Sequence, residues 1–311
     1  MTVTEKSAFI ALLGRANVGK SSLLNRLIGQ KVAIVTDKPQ TTRTRIMGVL
    51  TKGENQFVFI DTPGFHKPKN LLDDKMNGAV KSGMTDVDAA VLVIDAAPSF
   101  KFDPENLPAA EIELLENIKQ RKLPCILVIN KIDLLPQKDE LLSIITAYSN
   151  KFGFSAVVPL SAKTGEGADI LLEELNPFLK PAPHYFLSDD FTDQPEKVMV
   201  AEMIREKLLT LLDKEVPHGI AVDIERFFET DNKAGEPIIN IEAVIFTERE
   251  SHKGIIIGKG GAVLKRAGIL ARRDIEEFFG TKVSLKLWVK VKENWRNREG
   301  IIRSLGLDSL T

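Results

Sequence analysis

Short apolar runs that alternate with helical patterns are the feature that most constrains the fold of this chain. The runs lie at 8–13, 57–60, 89–94, 125–129 and 156–160. They are rich in β-branched residues, nearly continuous in apolarity, and bounded by Gly, Pro, Asn or Asp, which is typical of buried parallel strands. Amphipathic stretches lie between them, for example at 21–28, 105–121 and 140–151. This alternation predicts a doubly wound, mostly parallel α/β sheet over residues 1–180, with one antiparallel strand where 46–50 and 56–60 flank a short turn.

The rest of the chain has a different order of elements. Residues 177–195 carry four prolines and no clean period, so we interpret 181–195 as a linker. A helix over 198–212 is predicted next, followed by strands over 220–228 and 238–246. A glycine-rich segment then opens a second helix, and the last strand covers 282–292. The order α-β-β-α-β is not doubly wound, and it predicts a separate, smaller α+β domain over 196–311.

A glycine-rich segment with the pattern G-x-x-x-x-G-K-S lies between the first strand and the first helix. That setting is the one a P-loop requires, whereas the same residues elsewhere would be a turn with a surface lysine. Glycines let the backbone wrap around phosphates, and successive N–H groups face the negative charge. Lys20 of this pattern would reach the β- and γ-phosphates, and the Ser21 hydroxyl would bind Mg²⁺. The predicted nucleotide contacts here are Gly14, Arg15, Ala16, Asn17, Val18, Gly19, Lys20, Ser21 and Ser22.

A second short motif, D-T-P-G, ends the strand over 56–60. A carboxylate at that edge, beside the P-loop strand, suits a Mg²⁺ contact through water, and Gly64 can place its N–H against a γ-phosphate. Read alone, the motif is a turn with a helix-capping aspartate. The predicted contacts are Asp61, Thr62, Pro63, Gly64 and the following Phe65.

Two further motifs, N-K-I-D and S-A-K, end the last two strands of the predicted sheet. An aspartate there can accept both N–H groups on the edge of guanine, which adenine does not offer, and a backbone N–H of S-A-K can bind the guanine carbonyl oxygen. Each motif alone is equally consistent with a loop or a helix cap. All four motifs, however, lie at carboxyl ends of strands, where doubly wound sheets bind ligands. The predicted contacts are Asn130, Lys131, Ile132, Asp133, Ser161, Ala162 and Lys163.

This series of motifs resembles the small GTPase superfamily. The resemblance implies a switch loop at 39–43 whose threonine completes the Mg²⁺ shell, with Thr42 as our candidate and Thr41 as the rival. It also implies a Mg²⁺ site formed by Ser21, Thr42 and Asp61.

Hydrolysis poses a separate question, because many GTPases carry a glutamine where this chain has Phe65. A phenylalanine cannot orient water, so we expect slow hydrolysis or another device. By resemblance to relatives with N-x-G-K-S, Asn17 would help to hold a potassium ion that neutralises developing charge. The candidate catalytic residues are Lys20, Asn17, Thr42 and Gly64.

The C-terminal region is strongly basic, although the whole chain has a net charge of −1. Residues 253–303 contain thirteen lysines and arginines and five acidic residues, a net charge of +8. The segment G-K-G-G at 258–261 fits the G-x-x-G pattern, follows two strands and opens a basic helix. It resembles the type II KH domain, in which this loop clamps a single-stranded nucleic-acid backbone. The candidate RNA contacts are Lys253, Gly258, Lys259, Gly260, Gly261, Lys265, Arg266, Arg272, Arg273, Lys286, Trp288 and Lys290.

The last strand alternates cleanly, with Lys286, Trp288 and Lys290 on one face. A basic face with an aromatic side chain can hold a nucleic-acid backbone or stack a base, although lysines also protect a solvated edge strand. The combination of G-R-x-N-V-G-K-S, D-T-P-G, N-K-I-D, S-A-K, I-G-K-G-G and L-W-V-K-V-K resembles the Era family of bacterial GTPases over essentially the whole chain. The resemblance implies GTP hydrolysis, binding of the 3′ end of small-subunit (16S) ribosomal RNA, assembly of the 30S subunit, and peripheral contact with the inner membrane.

Three alternatives remain open from the residues alone. The first is a P-loop ATPase or kinase, which the guanine motif at Asp133 opposes. The second is an RNA chaperone that binds GTP with negligible hydrolysis, which Phe65 favours. The third is a membrane-associated GTPase whose basic domain binds lipid or protein.

Cysteine content and hydropathy indicate the compartment. The single cysteine, Cys125, lies in an apolar run, which predicts a buried thiol in a reducing compartment. We see no secretory signal and no run long enough to span a membrane. We therefore expect a cytosolic protein, and we also expect it to be a monomer.

Overall fold

The computed structural model describes residues 5–38, 40–65, 68–97, 103–135, 138–213, 216–232 and 235–307. Contacts divide the chain into two units that are not contiguous in sequence. The first comprises Met1–Ala33, Thr42–Pro68 and Lys75–Asp193. The second comprises Ile34–Thr41, Lys69–Asp74 and Gln194–Thr311.

A seven-stranded sheet organises the first unit. Its strands are β1 (Lys6–Leu13), β2 (Ile46–Lys52), β3 (Asn55–Asp61), β4 (Ala89–Asp95), β5 (Cys125–Asn130), β6 (Ala156–Pro159) and the short β7 (Lys180–Pro181). The order is β2-β3-β1-β4-β5-β6, and β7 pairs with β1. The pairs along β3-β1-β4-β5-β6 are parallel, whereas β2 and β7 are antiparallel to their neighbours. The predicted doubly wound, mostly parallel sheet is confirmed.

Both faces of this sheet are covered, which explains why the strands are apolar without alternation. The helices of the region are α1 (Lys20–Ile28), α2 (Leu71–Ser82), α3 (Ala109–Gln120), α4 (Lys138–Ser149) and α5 (Ala168–Leu175). On β1, Ile10 and Leu12 belong to the core under α1 and α5. Their neighbours Ala11 and Leu13 belong to the core under α3 and α4. The carboxyl ends of the strands remain for the ligand site.

Residues 181–193, within the predicted linker, lie against strands of the first unit. The Gln56 side chain accepts hydrogen bonds from the backbone N–H groups of Tyr185 (2.8 Å) and Phe186 (3.1 Å). The N–H of Val49, on β2, donates to the carbonyl oxygen of Phe191 at 3.1 Å. These bonds satisfy polar groups of β2 and β3. The second unit resumes at Gln194.

A three-stranded sheet forms the centre of the second unit. In chain order its elements are α6 (Glu196–Leu211), β8 (Ala221–Asp231), β9 (Pro237–Thr247), α7 (Glu250–Ile257), α8 (Ala262–Phe279), β10 (Lys282–Val291) and α9 (Glu299–Ser304). The central strand β9 is parallel to β10 and antiparallel to β8. The predicted α+β domain is confirmed, with two additional helices, α7 and α9. No helix in the described part of the chain has the length and apolarity needed to cross a membrane.

Candidate nucleotide and nucleic-acid sites

The P-loop, residues 14–19, adopts a backbone that only glycine tolerates at two positions. Gly14 and Gly19 have φ angles of 147° and 97°, in the region that disfavours side chains. A Cβ atom at Gly14 would lie 2.3 Å from the carbonyl oxygen of Val93, and one at Gly19 would lie 2.2 Å from Nδ2 of Asn130. The loop therefore packs directly against the ends of β4 and β5.

The side chain of Lys20 is buried beneath this loop. Its Nζ donates hydrogen bonds to the carbonyl oxygens of Gly14 (3.1 Å) and Arg15 (3.0 Å). Burial lowers the pKa of Lys20 to about 8, although the nearby Asp61 acts in the opposite direction. The ammonium group is thus held at the loop by the protein alone, which suits it to anionic phosphates.

Three oxygen-bearing side chains meet at the start of α1. Ser21 Oγ donates to Asp61 Oδ2 at 2.6 Å and lies 2.8 Å from Thr42 Oγ1. Asp61 is fully buried, and burial raises the pKa of its carboxyl group, an effect that Lys20 opposes. Among the described residues, Asp61 Oδ1 has no hydrogen-bond partner. Hard oxygen donors around an unsatisfied carboxylate oxygen fit Mg²⁺.

The structure also distinguishes Thr42 from Thr41, the alternative candidate for the metal site. The Thr41 hydroxyl interacts instead with Thr36 Oγ1 (2.7 Å) and donates to the carbonyl oxygen of Lys38 (2.7 Å). Of the two threonines, Thr42 is therefore the one positioned for the metal. Pro39, the first residue of the predicted switch loop, lies outside the described residues.

Gly64 and Phe65 lie against the P-loop. A Cβ atom at Gly64 would lie 2.5 Å from Cα of Ala16, so only glycine permits this approach. Phe65 donates its N–H to the carbonyl oxygen of Gly14 at 3.3 Å, and its ring is buried in the core with Leu13. The ring packs in the core, and its side chain has no group that could orient water.

The guanine motifs form one connected set of contacts. Asn130 is buried; its Nδ2 donates to the carbonyl oxygen of Val18 (2.8 Å), and its Oδ1 accepts from the N–H of Ala162 (3.0 Å). Ser161 Oγ donates to Asp133 Oδ1 at 2.6 Å. Asn130 thereby ties the P-loop to the S-A-K loop, and Ser161 orients a carboxylate that is otherwise exposed.

The G-x-x-G segment joins α7 to α8 in the second unit. Gly258, Gly260 and Gly261 have φ angles of 74°, 60° and 79°. A Cβ atom at Gly258 would lie 2.5 Å from Val263 Cγ2, whereas Gly260 and Gly261 face open space. The loop is therefore tight at its first glycine and accessible at the next two.

The predicted RNA contacts fall on two faces of this unit. The exposed cations in the loop and after it are Lys259, Lys265, Arg266, Arg272 and Arg273. Lys253, on α7, is half-buried and lies 3.7 Å from Glu250. On β10, Val283 and Leu287 belong to the core with α8, so Lys286, Trp288 and Lys290 lie on the opposite face of the sheet. Lys286 and Lys290 each pair with a glutamate there, at 3.3 Å and 2.9 Å.

Curated relatives match this chain along nearly its whole length. It is 46% identical to the GTPase Era of Clostridioides difficile over 301 residues, covering 97% of this chain and 98% of the relative. It is 45% identical to the GTPase Era of Ruminiclostridium cellulolyticum over 302 residues, covering 97% of each.

The chain belongs to the Era family of GTPases.

Family models and solved structures agree with this assignment. A model described as a 50S ribosome-binding GTPase matches residues 9–131, and a KH domain model matches residues 215–296. A structure of Era in complex with MgGDPNP and nucleotides 1506–1542 of 16S ribosomal RNA superposes with a TM-score of 0.90 at 36% identity, covering 97% of this chain and 99% of that one. A point variant of Aquifex aeolicus Era bound to GDP·AlF4⁻ is similar to the same extent. This Era-family chain is thus a P-loop GTPase with a C-terminal KH domain.

The site of this Era-family protein includes three residues that sequence reasoning missed, Asp95, Glu111 and Arg26. Lys131 Nζ forms an ion pair with Asp95 at 2.6 Å and donates to the carbonyl oxygen of Asn17 at 2.7 Å. Arg15 pairs with the buried Glu111 at 2.5 Å. Arg26 donates to two carbonyl groups of the S-A-K loop. A signal existed for Asp95, which ends a strand at the ligand edge, and for Glu111, which interrupts the apolar face of α3.

Proposed function

We propose that this GTPase is a nucleotide-controlled switch that binds the 3′ end of small-subunit ribosomal RNA and assists maturation of the 30S subunit. The observation that carries the proposal is the G-x-x-G loop, accessible at Gly260 and Gly261 and followed by exposed cations along α8. A relative of the same fold over 97% of this chain is crystallised with 16S ribosomal RNA and MgGDPNP.

The nucleotide would be held from both ends. Backbone N–H groups of the P-loop and the Lys20 ammonium would bind the phosphates. Asp133 would accept the N–H groups of guanine, with Asn130 and Lys131 fixing the loops around the base. Ser21, Thr42 and Asp61 would hold Mg²⁺, which would neutralise charge on the phosphate oxygens during transfer.

Hydrolysis would depend on groups other than Phe65, because that ring is buried in the core. We propose that Asn17, exposed at a φ of 65° in the P-loop, helps to hold a K⁺ ion beside the phosphates. A monovalent cation there would stabilise the transition state electrostatically. Equal turnover of GTP in potassium and in sodium buffers of the same ionic strength would exclude this role.

RNA would bind along α8, where the loop allows close approach of a phosphate backbone and the helix adds positive charge. Two exposed isoleucines, Ile255 on α7 and Ile269 on α8, would offer apolar contact to unstacked bases. Phosphate contacts release counterions, so we expect affinity to fall with salt.

The experiment is fluorescence anisotropy with a labelled oligonucleotide of the 3′ end of 16S ribosomal RNA, at two salt concentrations. Gly260→Asp places a carboxylate at the accessible loop and should abolish binding. Gly280→Asp is a matched control, since Gly280 has a similar φ of 64°, also faces open space, and lies at the far end of α8. Binding that survives Gly260→Asp, or that does not change with salt, would refute the proposed RNA surface.

We further propose a monomer in the cytosol that also contacts anionic lipid peripherally through the same cations. Electrostatic attraction to such a surface is worth about 1 kcal/mol for each basic residue. Flotation with phosphatidylglycerol vesicles tests the membrane contact. Sedimentation to the bottom of the gradient at low salt would exclude it.

A further inference from the structure

The guanidinium group of Arg26 holds the outer side of the S-A-K loop. Arg26 lies in the last turn of α1. Its Nε donates to the carbonyl oxygen of Ala162 at 3.2 Å, and its Nη2 donates to that of Lys163 at 2.6 Å. Two consecutive carbonyl groups of the loop, 136 and 137 residues away in sequence, are therefore oriented by one side chain.

Fixing these carbonyl groups also fixes the N–H groups of the same peptide units. A trans peptide is planar, so its N–H points away from its C=O, and the described chain contains no cis peptide bond. The second of these two peptide units, which joins Lys163 to Thr164, shows where that side lies. Its N–H, that of Thr164, donates to Ser161 Oγ at 3.1 Å, and this hydroxyl in turn donates to Asp133. The N–H side of the loop thus faces the carboxylate that would bind the guanine edge.

The first of the two peptide units carries the N–H of Lys163. Within the described ranges this N–H has no hydrogen-bond acceptor, whereas the preceding N–H, that of Ala162, is bound to Asn130 Oδ1. Lys163 is exposed, so its N–H is available to a ligand. An amide held in this way is suited to an acceptor on the base.

We infer that Arg26 is a positioning residue for base specificity, which acts by directing the Lys163 N–H at the 6-oxo group of guanine. The inference rests on the guanine site proposed above. Arg26 itself would touch neither the base nor the phosphates. Its loss should therefore weaken recognition of the 6-oxo group and leave the remaining contacts unchanged.

The test compares GDP with 6-thio-GDP, in which sulfur, a weaker acceptor, replaces the 6-oxo oxygen and the N–H groups for Asp133 are retained. Both are measured by displacement of a fluorescent GDP analogue in the presence of Mg²⁺. The intact protein should prefer GDP. In Arg26→Met the preference should fall by about three- to tenfold, the range of one hydrogen bond, through a weaker affinity for GDP at nearly constant affinity for 6-thio-GDP. Arg26→Lys, which keeps one donor group, should be intermediate.

Arg121→Met is the matched control. Arg121 also donates to backbone carbonyl oxygens, those of Met84 (3.4 Å) and Lys81 (3.3 Å), but it lies beyond α3 and contacts no nucleotide motif. It should leave the preference unchanged. Equal losses for both nucleotides in Arg26→Met would show a general structural role and overturn the inference, as would no loss for either. If the intact protein fails to prefer GDP, the guanine site itself is wrong and the inference falls with it.

Discussion

In the proposed guanine site, Asp133 is the residue on which recognition would depend most directly. One of its carboxylate oxygens accepts from Ser161 at 2.6 Å, and the residue is exposed. Two hydrogen bonds from guanine to a carboxylate would contribute much of the base affinity.

Asp133→Asn should therefore lower GDP affinity by at least about 100-fold, because an amide cannot accept from both N–H groups and each hydrogen bond to a charged group contributes about 1.5–3 kcal/mol. The same variant should gain affinity for XDP, whose 2-oxo group accepts from the new amide. Isothermal titration with both nucleotides measures the exchange. Unchanged GDP affinity would remove Asp133 from the base site.

Cys125 gives a pH-dependent test of the first unit's core. Burial raises the pKa of its thiol to about 12, so almost no thiolate, the reactive form, exists at pH 8. Ellman's reagent should release no colour from the native protein at pH 8 and one equivalent after unfolding in guanidinium chloride. Because the folded-state pKa lies above the ordinary value, reactivity stays absent as pH rises toward 10. One equivalent released rapidly from native protein would contradict the buried position.

The nucleotide motifs were predictable at the residue scale because each one is a local pattern tied to the end of a strand. Asn130 ends β5 and Asp133 follows it closely, as the motif predicts, whereas Thr42 was predicted from the resemblance. The partners of these residues were not predictable. Arg26 meets residues 136 and 137 positions away, and no single-sequence pattern reports such a pairing. Asp95 and Glu111 were the exceptions, since a carboxylate that ends a strand at the ligand edge and a charged residue on an apolar helix face each indicate a partner.

At the scale of elements, Glu111 links two helices to the P-loop. It is fully buried on α3, accepts a hydrogen bond from Tyr148 on α4, and pairs with Arg15. Burial raises the pKa of Tyr148, with Glu111 contributing, so the phenol remains a donor.

Glu111→Ala would leave the Tyr148 hydroxyl and the Arg15 guanidinium without this acceptor. The free energy of unfolding should fall by about 2–4 kcal/mol. We expect the calorimetric transition of the first unit, recognised by its shift on adding GDP and Mg²⁺, to fall by roughly 5–10 °C. Glu116→Ala, on the exposed side of the same helix, should change it by less than about 2 °C. Equal shifts for the two variants would show that the buried contact contributes no more to stability than an exposed side chain does.

Helix α6 holds the segment 34–41 within the second unit. The N–H of Val35 donates to Glu206 Oε1 at 3.0 Å, and Lys38 pairs with Asp213 at 2.8 Å. Arg205, almost fully buried, donates to the carbonyl oxygen of Thr41 and pairs with Glu202 at 2.5 Å. The next residue in the chain, Thr42, belongs to the candidate metal site of the first unit.

Arg205→Met should release this segment, because it removes the donor to Thr41 while keeping an apolar stem. Hydrogen–deuterium exchange over residues 35–41 should become at least about tenfold faster, which corresponds to the loss of about 1.4 kcal/mol of local stability. Lys197→Met, an exposed change on the same helix, should leave exchange unchanged. If exchange over this segment is equally slow in the two variants, Arg205 does not hold the segment in place.

The elements themselves were largely predictable, and the exceptions have physical causes. The predicted boundaries of the buried parallel strands lie within about two residues of the observed ones, since apolarity without alternation is a strong signal. Helix α7 was missed because three isoleucines between two glycines resemble a strand or loop more than a helix. The residues after β7 were interpreted as a linker because they are rich in proline. Their hydrogen bonds to the first unit are made partly to the Gln56 side chain, and no sequence pattern indicates such bonds.

At the scale of the whole molecule, two features could be read from the sequence and one could not. The two fold classes follow from element order, and the charge of +8 over residues 253–303 indicates the anionic partner. The division into units was not predictable in detail. Short segments at Ile34–Thr41 and Lys69–Asp74 join the second unit although they lie within the first 180 residues, and only tertiary contacts define such an exchange.

This division supports the central claim, that the bound nucleotide controls RNA binding. Residues 34–41 precede Thr42 of the candidate metal site directly, so a change at Thr42 on loss of the γ-phosphate would reach a segment that belongs to the unit with the proposed RNA surface. Switching by ordered and released segments of this kind is common among GTPases.

The most direct test is the affinity for the 16S 3′-end oligonucleotide with MgGDPNP and with MgGDP, measured in the intact protein and in Thr42→Ala. We predict at least about fivefold tighter binding with MgGDPNP, the lower end of typical allosteric coupling, and loss of the difference in Thr42→Ala, with RNA binding itself retained. Equal RNA affinity in the two nucleotide states of the intact protein would contradict the claim.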